Sequence, residues 1–147
     1  MRKVISNTSC LIVLSNINRL DILNEIYGTI FITPEVKDEF GEELPGWIKV
    51  EEVKDNSKTK LIANILDMGE ASTIALALER EDSLVILDDG KARRFAAGIN
   101  LKITGTLGVI INAKKVGLSI NVHKIIADMK QCGFRIPNDI EKILNDE

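Results

Sequence analysis

The sequence predicts an α/β fold: one domain over residues 1–147, with a central parallel sheet of about four to five short strands and helices on both faces. Three observations lead there. Short apolar runs of strand length alternate with stripes of helical period, the order in which parallel strands are joined by crossover helices. The run Leu84-Val85-Ile86-Leu87 is apolar without interruption, as a strand covered on both faces must be. At 147 residues, 45% hydrophobic and 28% charged, the chain is long enough to bury a core and has an ordinary globular composition.

Taken in order, Val4-Ile5 is a strand that stops at Ser6-Asn7-Thr8-Ser9. Leu11, Leu14 and Ile17, then Leu20, Leu23 and Ile26-Tyr27, recur at helical spacing, with Asn18 expected to cap the second piece. Thr29 to Ile32 is a second strand, and Thr33-Pro34 pairs a capping residue with a proline at the first helical position of a short helix ending near Phe40. After a loop from Gly41 to Gly46, Trp47 to Glu51 alternates like a strand near a sheet edge. Asn56 to Leu66 and Met68 to Arg80 read as two helices, followed by the strand Leu84 to Leu87 and the acidic turn Asp88-Asp89-Gly90. Lys91 to Gly98 is helical, Leu101 to Thr104 a short strand, and Leu107 to Val116 a helix stopped by Gly117. Asn121 to Gly133 and a segment after Pro137-Asn138 complete the helices, and no repeat or domain boundary interrupts the chain.

Charge and cysteine content narrow the function classes. Two cysteines, Cys10 and Cys132, do not make a disulfide framework, so a reduced, cytoplasmic setting is expected. The apolar residues after Met-Arg-Lys are too interrupted for a signal peptide or for a membrane span of about twenty residues. A net charge of −3 excludes bulk attraction to polyanions, so contact with nucleic acid must be local. The candidate patch is Lys91, Arg93 and Arg94, with Lys114-Lys115 as a second; a solvated helix face is the plain alternative. Aromatic residues are only 4% of the chain, so stacking is not expected as a major mode of recognition, and Trp47 and Phe134 read as core or interface residues. His123, the single histidine, is expected at the surface.

In an open parallel sheet, function gathers at the carboxyl ends of the strands. There the sequence places Asn7-Thr8-Ser9, Asp88-Asp89 and Thr104-Gly105-Thr106, to which the helix after Asp67 adds Glu70. Each has a structural alternative. Asn7, Thr8 and Ser9 are good helix caps, Asp67 and Glu70 have capping-box spacing, and Asp-Asp-Gly is an ordinary turn. Carboxylates converging on one point repel unless a cation sits between them, which points to a hard, oxygen-loving ion such as Mg²⁺ or Mn²⁺ and to metal-assisted phosphodiester cleavage.

The segments VISNTSCLI, GEASTIALALE, ILDDGKARRFA, ITGTLGVI and GFRIP, in this order across the whole chain, resemble the PIN-domain family. Within it the chain resembles the PIN-like branch of small prokaryotic proteins that look like the toxin ribonucleases of toxin–antitoxin pairs. The resemblance implies a metal site built from an acid after the first strand, a glutamate in a mid-chain helix and an aspartate after a later strand. These positions fall on Asn7, Glu70 and Asp88, with Asp89 beside the last. Asn7 stands where an aspartate is usual, and Thr104-Gly105-Thr106 stands where a fourth acid is expected, so the site is short of one or two charges.

The expected activity is thus that of a Mg²⁺- or Mn²⁺-dependent ribonuclease. Asn7, Glu70 and Asp88 hold a weakly bound metal, Glu70, Asp88 and Asp89 carry the chemistry, and Lys91, Arg93 and Arg94 face the RNA. The rival is a catalytically silent relative that binds RNA or a small antitoxin-like protein; a homodimer stays open. A phosphate-handling enzyme on a Rossmann-like sheet ranks last, because no glycine-rich loop follows the first strand.

Overall fold

The computed structural model of the protein describes residues 2–145. A five-stranded, wholly parallel sheet lies at its centre in the order β3-β2-β1-β4-β5. Its strands are β1 (Lys3–Ser6), β2 (Ile30–Ile32), β3 (Ile48–Val50), β4 (Ser83–Ile86) and β5 (Lys102–Thr104). The connections are helical: α1 (Thr8–Asn16) and α2 (Asp21–Tyr27) lead to β2, α3 (Pro34–Phe40) to β3, and α4 (Asn56–Ile62) and α5 (Met68–Leu78) to β4. Then α6 (Gly90–Gly98) leads to β5, and α7 (Thr106–Lys115), α8 (Val122–Gln131) and α9 (Asn138–Asn145) follow.

The two-residue period of the strands sorts their side chains between two cores. Val4, Leu84 and Ile86 join Leu11, Leu14, Ile22, Leu23 and Ile110 on one face, under α1, α2 and α7. Ile5, Val85 and Leu87 join Ile62, Ile74, Ala92 and Ala96 on the other, under α4, α5 and α6. β4 is buried along its full length, which is why its sequence is apolar at both parities. From Gly69 to Ala77 every residue of α5 is buried, and the small side chains Ala71, Ser72, Thr73 and Ala75 allow that depth.

Local chemistry accounts for the helix boundaries. Thr33 caps α3 through its side chain, with Pro34 at the first position. Asp67 and Glu70 form a reciprocal capping box at α5, and Asn121 caps α8. Asn18 departs from expectation. It takes a left-handed conformation (φ 58°) in the turn between α1 and α2, and Leu20 occupies the cap position of α2. An asparagine tolerates that conformation better than most residues, so the turn uses its backbone rather than its side chain. His123 is exposed, while Trp47 and Phe134 pack partly buried against the first core. Among the described residues no helix is long and apolar enough to cross a membrane.

Candidate active site

The strand order reverses between β1 and β4: from β1 the chain works outward through β2 and β3, then returns to place β4 on the other side. A crevice opens at the carboxyl edge of such a switch point. Ser6 pairs with Ile86, and the Asn7 amide donates to the Ile86 carbonyl at 3.0 Å, so Asn7 and the Leu87-Asp88 turn lie side by side at that edge.

Asn7 occupies the N-cap position of α1, yet its side chain makes no capping bond. Its Oδ1 is buried and without a hydrogen-bond partner among the described residues. Thr8 and Ser9 do not cap either. Thr8 Oγ1 donates to Glu39 Oε1 (3.2 Å) and Ser9 Oγ to Asp88 Oδ2 (2.8 Å), so the expected capping residues instead hold carboxylates on two different elements.

Glu39, in the last turn of α3, joins the acids that the sequence places at the strand ends. Its only local hint in the sequence is its place in a short helix started by Thr33-Pro34 at a strand's carboxyl end. Packing of α3 against α5, through the buried pair Thr33 Oγ1 and Ser72 Oγ (2.7 Å), brings it in. Gly69 then sits against both polar groups. A Cβ there would overlap the Glu39 carboxylate and lie 3.4 Å from Asn7 Oδ1. Desolvation first, then the charge of Asp67, raises the Glu39 carboxyl above its ordinary range, and the Thr8 hydroxyl partly offsets this.

Glu70, one residue on, is buried at 7% exposure. Its amide donates to Asp67 Oδ1 at 2.8 Å, and its own Oε1 accepts from the Asp67 amide at 3.4 Å. Burial, followed by the charges of Asp67 and Asp89, pushes its pKa up to about 7. It is therefore both a capping residue and a carboxyl group poised near neutrality.

Asp88 is held on its own wall by three donors: Ser9 Oγ, the Thr106 amide (2.7 Å to Oδ1) and Thr106 Oγ1 (2.6 Å to Oδ2). Beneath it lies buried Cys10, whose thiol is pushed up to about 12 by burial and by the Asp88 charge, so it is unreactive. Asp89 caps α6 by accepting from the Ala92 amide at 3.0 Å. Arg93 Nη1 donates to the Leu87 carbonyl at 2.8 Å, so this arginine braces the turn that carries Asp88, while Lys91 and Arg94 are exposed.

The family model DUF3368, a PIN domain, matches residues 3–146. The chain belongs to the PIN-domain family. No curated protein matches it.

Within this PIN domain the polar residues gathered at the sheet's carboxyl edge, Asn7, Glu39, Glu70, Asp88 and Asp89, bring an amide and four carboxylates, which are oxygen donors. Such a set suits a hard divalent cation. Among the described residues no three His, Cys, Asp or Glu side chains converge tightly enough to enclose an ion. An ion bound there would have to be held by few protein atoms and several waters, as Mg²⁺ commonly is. The unpartnered Asn7 Oδ1 is the observation that favours this fit, since a buried polar atom without a partner is costly.

Proposed function

We propose that this PIN domain is a Mg²⁺- or Mn²⁺-dependent ribonuclease of reduced metal affinity, working at the β1–β4 crevice. The observation that carries the proposal is the buried, unpartnered Oδ1 of Asn7 beside the Glu39 carboxylate. Asn7 and Glu39, with Asp88 from the turn after β4, would hold the ion. When bound it supplies Lewis acidity toward a phosphoryl oxygen and promotes ionisation of water. Glu70 is the proton acceptor: a carboxyl with a pKa of about 7 is well matched to moving a proton at neutral pH. Asp89 caps α6, and its charge helps keep the Glu70 pKa high. Exposed Lys91 and Arg94 supply local positive charge for the RNA backbone.

The second reading is a silent relative that binds RNA or a small antitoxin-like protein. Two features favour it: Asn7 brings no charge, and three donors already occupy the Asp88 carboxylate. In a toxin–antitoxin arrangement such a partner would cover the crevice, and a small open reading frame beside the gene would support that arrangement.

Calorimetric titration with Mn²⁺ beside a cleavage assay on a mixed RNA pool decides between the readings. Asn7→Asp should bind Mn²⁺ more tightly and cleave faster than the wild type, because an added carboxylate attracts the cation. Absence of Mn²⁺ binding and of cleavage in both proteins would rule out the nuclease and leave the binding role.

A further inference from the structure

A cavity of about 430 Å³ opens beside the crevice, where the end of β5 and the start of α7 meet the segment after α8. Asp88 forms part of its wall, so whatever occupies it lies next to the acidic cluster. Its other walls have a distinct chemistry. Leu107, Ile111 and the half-buried ring of Phe134 give an apolar surface, and Arg93 and Arg135 give two guanidinium groups. Arg93 is fixed in place by its bond to the Leu87 carbonyl, which uses one of five N–H donors. At Gly105 the chain has no room for a side chain: a Cβ would lie 2.9 Å from Arg93 Nη1 and 3.0 Å from Asp88 Oδ1. The close approach of arginine, aspartate and backbone at this corner therefore depends on glycine.

The size falls within the range of small-molecule pockets. An apolar wall with one aromatic ring asks for a flat, uncharged group, and two guanidinium groups lining one cavity ask for an anion with several oxygens. A nucleotide carries both on one frame. We propose that this cavity is a nucleotide subsite, in which one base of an RNA strand rests against Phe134 while its phosphate meets Arg93 and Arg135. The adjoining phosphodiester then reaches the acidic cluster past Asp88. The assignment rests on reading that cluster as a phosphodiester site, and it gives the GFRIP segment a role: Phe134 and Arg135 are its second and third residues.

The test needs no turnover. In EDTA, adenosine 5′-monophosphate titrated against the full chain and followed by nuclear magnetic resonance should bind measurably, with adenosine alone and inorganic phosphate alone each binding more weakly. Phe134→Leu keeps an apolar side chain against the core and removes the ring face, and it should weaken the nucleotide about fivefold or more with little change in melting temperature. Arg135→Ala, at an exposed position, should weaken a short oligoriboadenylate and reduce its salt slope by about 0.7. The oligonucleotide should bind more tightly than the monophosphate. Monophosphate binding that is absent, or unchanged in both variants, overturns the subsite. Binding of the monophosphate but not of the oligonucleotide overturns the strand assignment. Mn²⁺ titrated against the same variants separates this proposal from the nuclease: Mn²⁺ binding retained with nucleotide binding lost removes the subsite alone, and the reverse removes the metal site alone.

Discussion

Thr106 grips Asp88 at two points, its amide donating to Oδ1 at 2.7 Å and its hydroxyl to Oδ2 at 2.6 Å. The position just after β5, where a further acid would add charge, instead holds a residue that binds and orients the acid after β4. Thr106 is fully buried. Thr106→Val keeps its shape and removes the hydroxyl donor, leaving the amide and Ser9 in place. Expected is a loss of about 1–3 kcal/mol, since the bond is buried and its acceptor charged. Chemical denaturation should show it as a lowered midpoint with an unchanged slope.

Glu70 should make the metal-free protein less stable as pH rises. Its folded-state pKa, about 7, lies above the ordinary value of 4.5, so the folded chain binds the proton more tightly than the unfolded chain does. The stability this contributes is fully present below about 4.5 and is lost as pH rises through about 7. Melting curves in EDTA at pH about 5 and about 8 should show the fall, and Glu70→Gln should flatten it. Glu39 is shifted in the same direction, so a smaller slope should remain in that variant.

Gly69→Ala should separate the site from the fold. The added methyl meets the Glu39 carboxylate, the far end of a flexible side chain on an exposed residue, so the helix can keep its place while the carboxylate moves off Thr8. Alanine also favours the helix by up to about 1 kcal/mol over glycine. The expected outcome is a melting temperature near that of the wild type and a clear loss of Mn²⁺ affinity by calorimetry. Unchanged Mn²⁺ affinity would exclude Glu39 as a ligand.

Arg93 and Arg94, adjacent in sequence, should behave differently. Arg93→Ala removes the bond to the Leu87 carbonyl and should lower thermal stability as well as RNA affinity. Arg94→Ala, at an exposed position, should leave the melting curve in place and reduce the salt slope of RNA binding by about 0.7. A salt slope unchanged in the Arg94 variant would remove that residue from the RNA-facing surface.

The sequence by itself determined the succession of elements and the apolar runs that must be buried. Leu84 to Leu87 had to be a central strand because no parity of it is polar, and Thr33-Pro34 and Asp67 with Glu70 marked helix starts because capping needs only residues three or four apart. It also placed Asn7, Glu70 and Asp88 at strand and helix ends. Only the tertiary structure decided what those ends face. Glu39 enters the site through Thr8, 31 residues away, Ser9 reaches Asp88 across 79 residues, and Thr106 replaces an acid by gripping one 18 residues earlier. Phe134 and Arg135 meet Asp88 at one cavity for the same reason. Periodicity and capping are settled by near neighbours along the chain. Convergence of donors depends on strand order and on which helices pack together, and those follow from burying both faces of the sheet at once.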